Sequence, residues 1–345
     1  RDTRVHSFPL FHDPFCMAGA KKATGTKKTT SKRGVSKKKK SAFPIVRVSA
    51  SAPPCPSTST DPVLSVVALN VNGIRAALGK KCQGQTLAEW VAQEKPDVFF
   101  MGETKLGTSA FDKYAAEYCV DGNSPFKGYV GHYCLPAPPT RQGYAGSCVF
   151  IRSGVAYTAV THGLGVEEHD TEGRFCTVET PSGYLCHAYV PNAGRGAKSG
   201  QKGEALPNLH YRIAGWEETV RSHIACLRLM KPVIYIGDMN VCHQPMDIHD
   251  FKANRGKPGV TDQERHAMTN LISDGMIDSF RHLYPDEVKF SWFSNFSSSR
   301  AMKRGWRLDY VLVDSNLLGK VKDSEIFDDH RDWSDHVPVR LTLTE

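Results

Sequence analysis

The sequence predicts a single α/β domain, with sheets inside and helices outside, over residues 63–345 behind a basic tail of residues 1–62. Three observations carry this. Apolar, β-branched runs recur along the body, helical segments lie between them, and within the first 62 residues the stretch 21–40 holds almost nothing to bury. The runs are "VLSVVALN" (63–70), "DVFFMGE" (97–103), "SCVFIR" (147–152), "YLCHAYV" (184–190), "PVIYIGD" (232–238), "RLDYVLVD" (307–314) and "VPVRLTL" (337–343), and they suit strands buried on both faces.

The helical segments run from Thr86 to Glu94, from about Leu206 to Leu229, and from Thr261 onward. In the last, Thr261 and Glu264 are spaced as a capping box, and Gly275 lies just past the end. No internal repeat is visible.

Length and composition agree with this reading. A chain of 345 residues, 40% of them hydrophobic, is long enough to bury a sizeable core. No apolar run approaches the roughly 18 residues of a membrane helix. The N-terminus lacks the charged-then-apolar pattern of a secretory signal. The ten cysteines are scattered without a Cys-x-x-Cys pair, so neither a zinc site nor a disulfide framework is indicated. They read as small buried side chains in a reducing compartment, which makes the Asn295-Phe296-Ser297 sequon accidental.

The net charge of +8 belongs to the tail. Residues 1–62 hold 13 Lys+Arg against 3 Asp+Glu, whereas the body holds 31 against 33. "KKATGTKKTTSKRGVSKKKK" (21–40) is expected to be disordered, and a Pro/Ser-rich linker ends near Pro62. The lysine runs fit a nuclear address or nonspecific phosphate contact as well as they fit a solubilising tail. The chain begins with Arg1, and Met17 followed by Ala-Gly-Ala would make a natural start.

Several strands end or begin in polar residues that a core has no use for. Asn70 and Asn72 follow the first run and Glu103 the second; Tyr189, Asn192 and Arg195 close another. Asp238 and Asn240 end "IYIG", Asp309 sits within an apolar run, and Asp335-His336 precedes the last strand. Singly, most have a plainer reading as a turn residue or surface pair, but Asp309, a carboxylate within an apolar run, must be paired or bound. Together, delivered to one end of a sheet, they make a ligand site. Oxygen donors without a Cys/His cluster select a hard cation, Mg²⁺ or Mn²⁺. Such a cation with a histidine and amide donors suits hydrolysis of a phosphate ester.

"NVNGIRA" (70–76), "GETK" (102–105), "YVPNAGRG" (189–196), "GDMNV" (237–241), "GWRLDY" (305–310) and "SDH" (334–336), in that order, closely resemble the exonuclease III family of apurinic/apyrimidinic (AP) endonucleases. The resemblance covers about residues 63–345. It implies a four-layer α/β sandwich, two packed β-sheets flanked by helices, as in DNase-I-like enzymes. It implies Glu103 as the main metal ligand, with Asn70, Asn72 and Asp335 close by. Asp238 would orient or deprotonate the attacking water, helped by Asn240. His336, held by Asp309, would contact the scissile phosphate, and Tyr189 and Asn192 would donate to phosphate oxygens.

Arg75, Arg195, Asn254, Trp292, Phe296 and Trp306 match the family's DNA-gripping positions. Arg195 and Phe296 would enter the duplex, and the tryptophans would wall the pocket for a flipped abasic sugar. Ordinary packing is the plainer reading of both tryptophans. The implied partner is double-stranded DNA carrying abasic sites or blocked 3′ ends, bound by a monomer with no membrane contact. The implied location is the nucleus, with a mitochondrial or dual one as alternative. The chain departs from the family pattern at Asn72, where several relatives carry Asp, and at Lys257, where an Asn is frequent; residues 290–305 follow it loosely. Two other readings are another phosphodiesterase or phosphatase of the superfamily, and a non-catalytic nucleic-acid-binding relative.

Overall fold

The computed structural model describes residues 46–47, 64–119, 124–194, 206–294, 298–329 and 332–344. Two sheets are built from the predicted runs. In the first, the strands lie in the order Val46–Arg47, Tyr129–Cys134, Ser147–Arg152, Val98–Gly102, Leu64–Asn70, Val339–Leu343 and Val321–Ile326. In the second, the order is Met276–Asp278, Asp309–Asp314, Val233–Asp238, Tyr184–Tyr189, Phe175–Glu179 and Ala159–His162. Each sheet has one parallel pair, Leu64–Asn70 with Val98–Gly102 and Tyr184–Tyr189 with Val233–Asp238. The remaining pairs are antiparallel.

The period of two in a strand sorts side chains between layers. Val66 and Ala68, Val98 and Phe100, Ile234 and Ile236, and Val311 and Val313 face inward and form one core between the sheets. Val67, Leu69, Phe99 and Met101 face outward and pack on Trp90, Phe111 and Tyr114 of the helices Leu87–Glu94 and Thr108–Tyr118. On the far side Cys186, Ala188, Tyr235 and Leu312 pack on Trp216, Val220, Met268 and Leu271. The result is the four-layer sandwich of helices, sheet, sheet and helices.

The expected capping box, Thr261 with Glu264, is present, and a second joins Thr86 with Glu89. The long helix expected from Leu206 opens instead with a π-helical turn, Tyr211–Glu217, before the regular helix Glu218–Arg228. Among the described strands of four or more residues, four had no counterpart in the predicted runs: Tyr129–Cys134, Ala159–His162, Phe175–Glu179 and Val321–Ile326. Two of them, Ala159–His162 and Val321–Ile326, are edge strands whose solvent faces carry polar residues. Within the stretch expected as a disordered tail, Val46–Arg47 pairs with Tyr129–Cys134 at the edge of the first sheet. The other tail residues lie outside the described ones. Eight cysteines are described; all are free, and all but Cys226 are buried. No helix among the described residues is long and apolar enough to cross a membrane.

Candidate active site

The inward-facing register that builds the core continues one step past it. Asn70 follows Val66 and Ala68 in the first sheet, while Asp238 follows Ile234 and Ile236 in the second. Tyr189 and Asp309 lie in register with Asp238, on the two strands that flank it. The four side chains therefore gather where the sheets stop packing on one another.

The backbone is bent to aim them. Gly237 has φ 137°, and a Cβ there would lie 2.2 Å from the carbonyl oxygen of Ala188, so only glycine fits before Asp238. Asn72, Glu103, Lys105 and Asn240 all have φ near +50°. Such left-handed positions are strained in residues other than glycine and persist where the surroundings over-determine them.

One hydrogen-bonded network joins the two sheets. Asn70 Nδ2 donates to Glu103 Oε2 at 3.1 Å and to Asp238 Oδ2 at 2.9 Å. Asp238 Oδ1 accepts from the backbone N–H of Asn240 at 2.9 Å, and Asn192 Nδ2 donates to Asn240 Oδ1 at 3.1 Å. His336 Nδ1 donates to Asp309 Oδ2 at 2.7 Å, while its Nε2 lies 3.8 Å from Asp238 Oδ2. Asp309 is held in turn, because its N–H donates to Ser291 Oγ at 2.9 Å.

Asp238, Asp309 and His336 offer ligand atoms within 4.8 Å of one another, a spacing a metal ion could also use. The 2.7 Å contact between Nδ1 and Oδ2 carries a proton, which favours the hydrogen-bonded arrangement over shared metal ligation.

Burial alone would lower the pKa of His336, but Asp309 and then Asp238 outweigh it and push it up to about 10. Burial raises Asp238 toward about 7, against the pull of His336 and the amide donors. Burial likewise holds the Tyr189 hydroxyl protonated, far above its ordinary value, with Glu103 adding to the effect.

The oxygen-rich end of the network fits a hard cation. Asp335 Oδ1 accepts from Asn72 Nδ2 at 3.0 Å and from the Ser334 hydroxyl at 3.2 Å, and Trp292 Nε1 donates to Oδ2 at 3.1 Å. Glu103, Asp335 and the carbonyl oxygens of Asn70 and Asn72 form an all-oxygen donor set, as Mg²⁺ or Mn²⁺ requires. A cation already sits among them. Lys105 Nζ lies 3.1 Å from Glu103 Oε1 and donates to Asn72 Oδ1.

The sequence reading quoted Lys105 within "GETK" without giving it a role. It likewise quoted Ser334 within "SDH" without a role, and it missed Ser291 and Arg174. Arg174 is buried, stacks its guanidinium 4.4 Å from the centre of the Tyr189 ring, and donates to the Tyr189 carbonyl at 3.1 Å. Arg174 also meets Tyr144 and Glu172, which with Arg141 and others line a cavity of about 380 Å³. Its lining includes none of Asp238, Asp309 and His336, so the chemistry marks the site and the cavity does not.

The DNA-side residues divide. Trp292 and Trp306 are half-buried and meet edge to face, with ring centres 5.7 Å apart, over Leu308, Val260 and Ile248. Arg75 is exposed on the short helix Ile74–Gly79, directly after the Asn70–Asn72 turn. Asn254 donates to the Asp250 carbonyl and accepts from Lys257, in a surface turn beside the tryptophans. Arg195 and Phe296 lie outside the described residues.

The comparisons with known proteins agree with this geometry. Residues 67–336 match the "Endonuclease/Exonuclease/phosphatase family". The chain is 36% identical over 281 residues to an exodeoxyribonuclease of Bacillus subtilis, covering 81% of this chain and 99% of that one. It is 34% identical over 311 residues to "DNA repair nuclease APEX1" of Danio rerio, covering 89% and 92%. Among solved structures it resembles the AP endonuclease LMAP of Leishmania major, with a TM-score of 0.71 and 26% identity over 85% of this chain and 92% of that one. With its two sheets, its flanking helices and this strand-end network, the chain belongs to the endonuclease/exonuclease/phosphatase family, among the exonuclease III-type AP endonucleases.

Proposed function

We propose that the protein incises duplex DNA on the 5′ side of abasic sites in base-excision repair, leaving a 3′-hydroxyl, and that it also trims blocked 3′ ends. The observation that carries this is the network in which Asn70 bridges Glu103 to Asp238 while His336 stands between Asp238 and Asp309.

Asp238 is the group that orients the attacking water and takes its proton, with the Asn240 N–H holding one carboxylate oxygen in place. His336 presents Nε2 to the scissile phosphate while Asp309 fixes the ring through Nδ1. The hydroxyl of Tyr189 and the amide of Asn192 donate to the phosphoryl oxygens as charge builds on them. Glu103, Asn70, Asn72 and Asp335 would hold Mg²⁺, with Mn²⁺ as a substitute. The ion, when bound, offsets negative charge on the phosphate and leaving oxygen.

The half-exposed Trp292 and Trp306 form the pocket for the extruded sugar, which excludes a nucleotide still carrying its base. Arg75 and Asn254, with Arg195 and Phe296, grip the distorted strand. Residues 63–345 act as the catalytic domain and the Lys-rich segment before it as a tail. The protein works as a monomer in the nucleus.

The test is a duplex with a single tetrahydrofuran abasic analogue, incubated with Mg²⁺ or with chelator. We expect a nick 5′ to the analogue only with the metal. Asp238→Asn should remove cleavage and leave affinity for the duplex nearly unchanged. An active Asp238→Asn protein would refute the role given to that carboxylate.

A further inference from the structure

A buried guanidinium grips, from behind, the loop that carries Asp238 and Asn240. Arg212 lies on the π-helical turn Tyr211–Glu217 and has no solvent exposure. Its Nη1 donates to the Asn240 carbonyl at 2.8 Å and its Nη2 to the Met239 carbonyl at 2.7 Å. Two carboxylates balance the charge. Glu264 Oε1 accepts from Nη1 at 2.8 Å, and Glu217 Oε1 lies 3.4 Å from Nε.

Glu264 extends the grip toward the DNA side. Its Oε2 accepts from the N–H of Gly259 at 2.8 Å, and the Gly259 carbonyl accepts from the N–H of Cys242 at 2.8 Å. A closed ring of contacts thus runs from Arg212 through Glu264, Gly259 and Cys242 back to Asn240. The 254–260 turn in that ring carries Asn254 and Lys257. A Cβ on Gly259 would lie 3.4 Å from the Trp306 ring.

Packing alone gives no reason for an ionised group here, since an apolar side chain would fill the volume without desolvating a charge. The left-handed backbone of Asn240 does give one. That conformation sets the N–H that holds the Asp238 carboxylate, and a planar fork that binds two successive carbonyls fixes it. We propose that Arg212 is a positioning residue for incision. Through the Met239 and Asn240 carbonyls it holds the aim of Asp238, and through Glu264 it ties that aim to the 254–260 turn. This rests on the reading of Asp238 and Asn240 as catalytic.

The test compares full-length wild type, Arg212→Met, Arg212→Lys and Glu264→Gln on the tetrahydrofuran duplex. Single-turnover incision with Mg²⁺, duplex affinity in chelator, and thermal melting are measured for each. Misplacement of a catalytic group by about 1 Å costs on the order of 100-fold in rate. Folded Arg212→Met should therefore lose about 100-fold in single-turnover rate while its affinity for the duplex stays within about threefold of wild type. Arg212→Lys, a point charge in place of a fork, should recover part of the loss, and Glu264→Gln should fall between it and wild type.

A cooperatively folded Arg212→Met that incises within about threefold of wild type would overturn the proposal, as would an equal loss of rate and affinity. If Arg212→Met does not fold, Arg212→Lys and Glu264→Gln decide by the same criteria. A wild-type protein that fails to nick would overturn the AP-endonuclease reading itself, and a nicking wild type with normal variants overturns only the role of Arg212.

Discussion

His336 and Asp309 are joined by a 2.7 Å hydrogen bond from Nδ1 to Oδ2, which turns the other ring nitrogen toward Asp238. The bond fixes the ring's orientation and favours its charged form, because Nδ1–H faces a carboxylate. Asp309→Asn keeps the shape of the carboxylate but removes its charge and can present an amide N–H to Nδ1. We expect incision to fall by about 10²- to 10⁴-fold, the range for losing a positioned acid–base group or its orienting carboxylate. The melting temperature should change little by comparison. A rate within tenfold of wild type, measured in single-turnover nicking, would remove Asp309 from the mechanism.

Asn72 makes two contacts of opposite demand. Its amide nitrogen donates to Asp335 at 3.0 Å, and its oxygen accepts from the Lys105 ammonium. In Asn72→Asp the first contact becomes a clash of carboxylates and only the second improves. Without metal, the variant should lose on the order of 1 kcal/mol, seen as a melting temperature lower by about 2–4 °C. Added Mg²⁺ should raise its melting temperature more than it raises that of wild type, because the site has gained an anionic oxygen donor. Melting curves with and without Mg²⁺ check both signs. Equal responses in the two proteins would show that Asn72 does not face the ion.

The fold was legible where burial on both faces left a continuous apolar run. Val66, Val67, Ala68 and Leu69 are buried on both faces of a central strand, so their run of apolar residues marks it plainly. Val321–Ile326 lies at a sheet edge with apolar residues only at its two ends, and its sequence "VKDSEI" reads equally well as loop. The π-helical start of the long helix was not legible either. It carries Arg212, a charge that a helical pattern assigns to solvent and that the structure buries against two backbone carbonyls.

In the site, Asp238, Asp309 and Asn70 stood out because strand periodicity carries them onto a buried face, where a polar group needs a partner. Lys105 and Ser291 did not stand out. Their positions depend on contacts between distant segments that no local spacing records, such as the Ser291 hydroxyl accepting from both Leu308 and Asp309.

Trp292 and Trp306 differ in what a substitution would remove. Trp292 donates Nε1 to Asp335, whereas the half-buried Trp306 only packs on the Cys242, Ile248, Val260 and Leu308 cluster. Trp306→Ala should therefore weaken binding of the abasic duplex by roughly 1–3 kcal/mol, the order for losing apolar ring surface buried against the sugar. Its effect on an intact duplex should be far smaller, because only the flipped sugar enters the pocket. Titration of the two labelled duplexes in chelator measures the difference. Parallel losses on both would mean that Trp306 supports the fold rather than the pocket.

His187 lies between the sheets, 1% exposed, with its ring stacked on Phe100 at 5.2 Å and 7° and its Nδ1 without a hydrogen-bond partner. Burial is the sole cause that pushes its pKa down, to about 3. In the unfolded chain a histidine titrates near 6.5. Between pH 6.5 and about 3 the unfolded state therefore holds a proton that the folded state refuses. Stability is complete above pH 6.5 and falls as the pH drops, by up to about 1.4 kcal/mol per unit from this residue. His187→Leu fills the same apolar space without titrating. Its unfolding free energy, measured by denaturant titration at pH 7, 6, 5 and 4, should fall less steeply than that of wild type by up to that slope. Identical slopes would show that His187 is already protonated, or already solvated, in the folded protein.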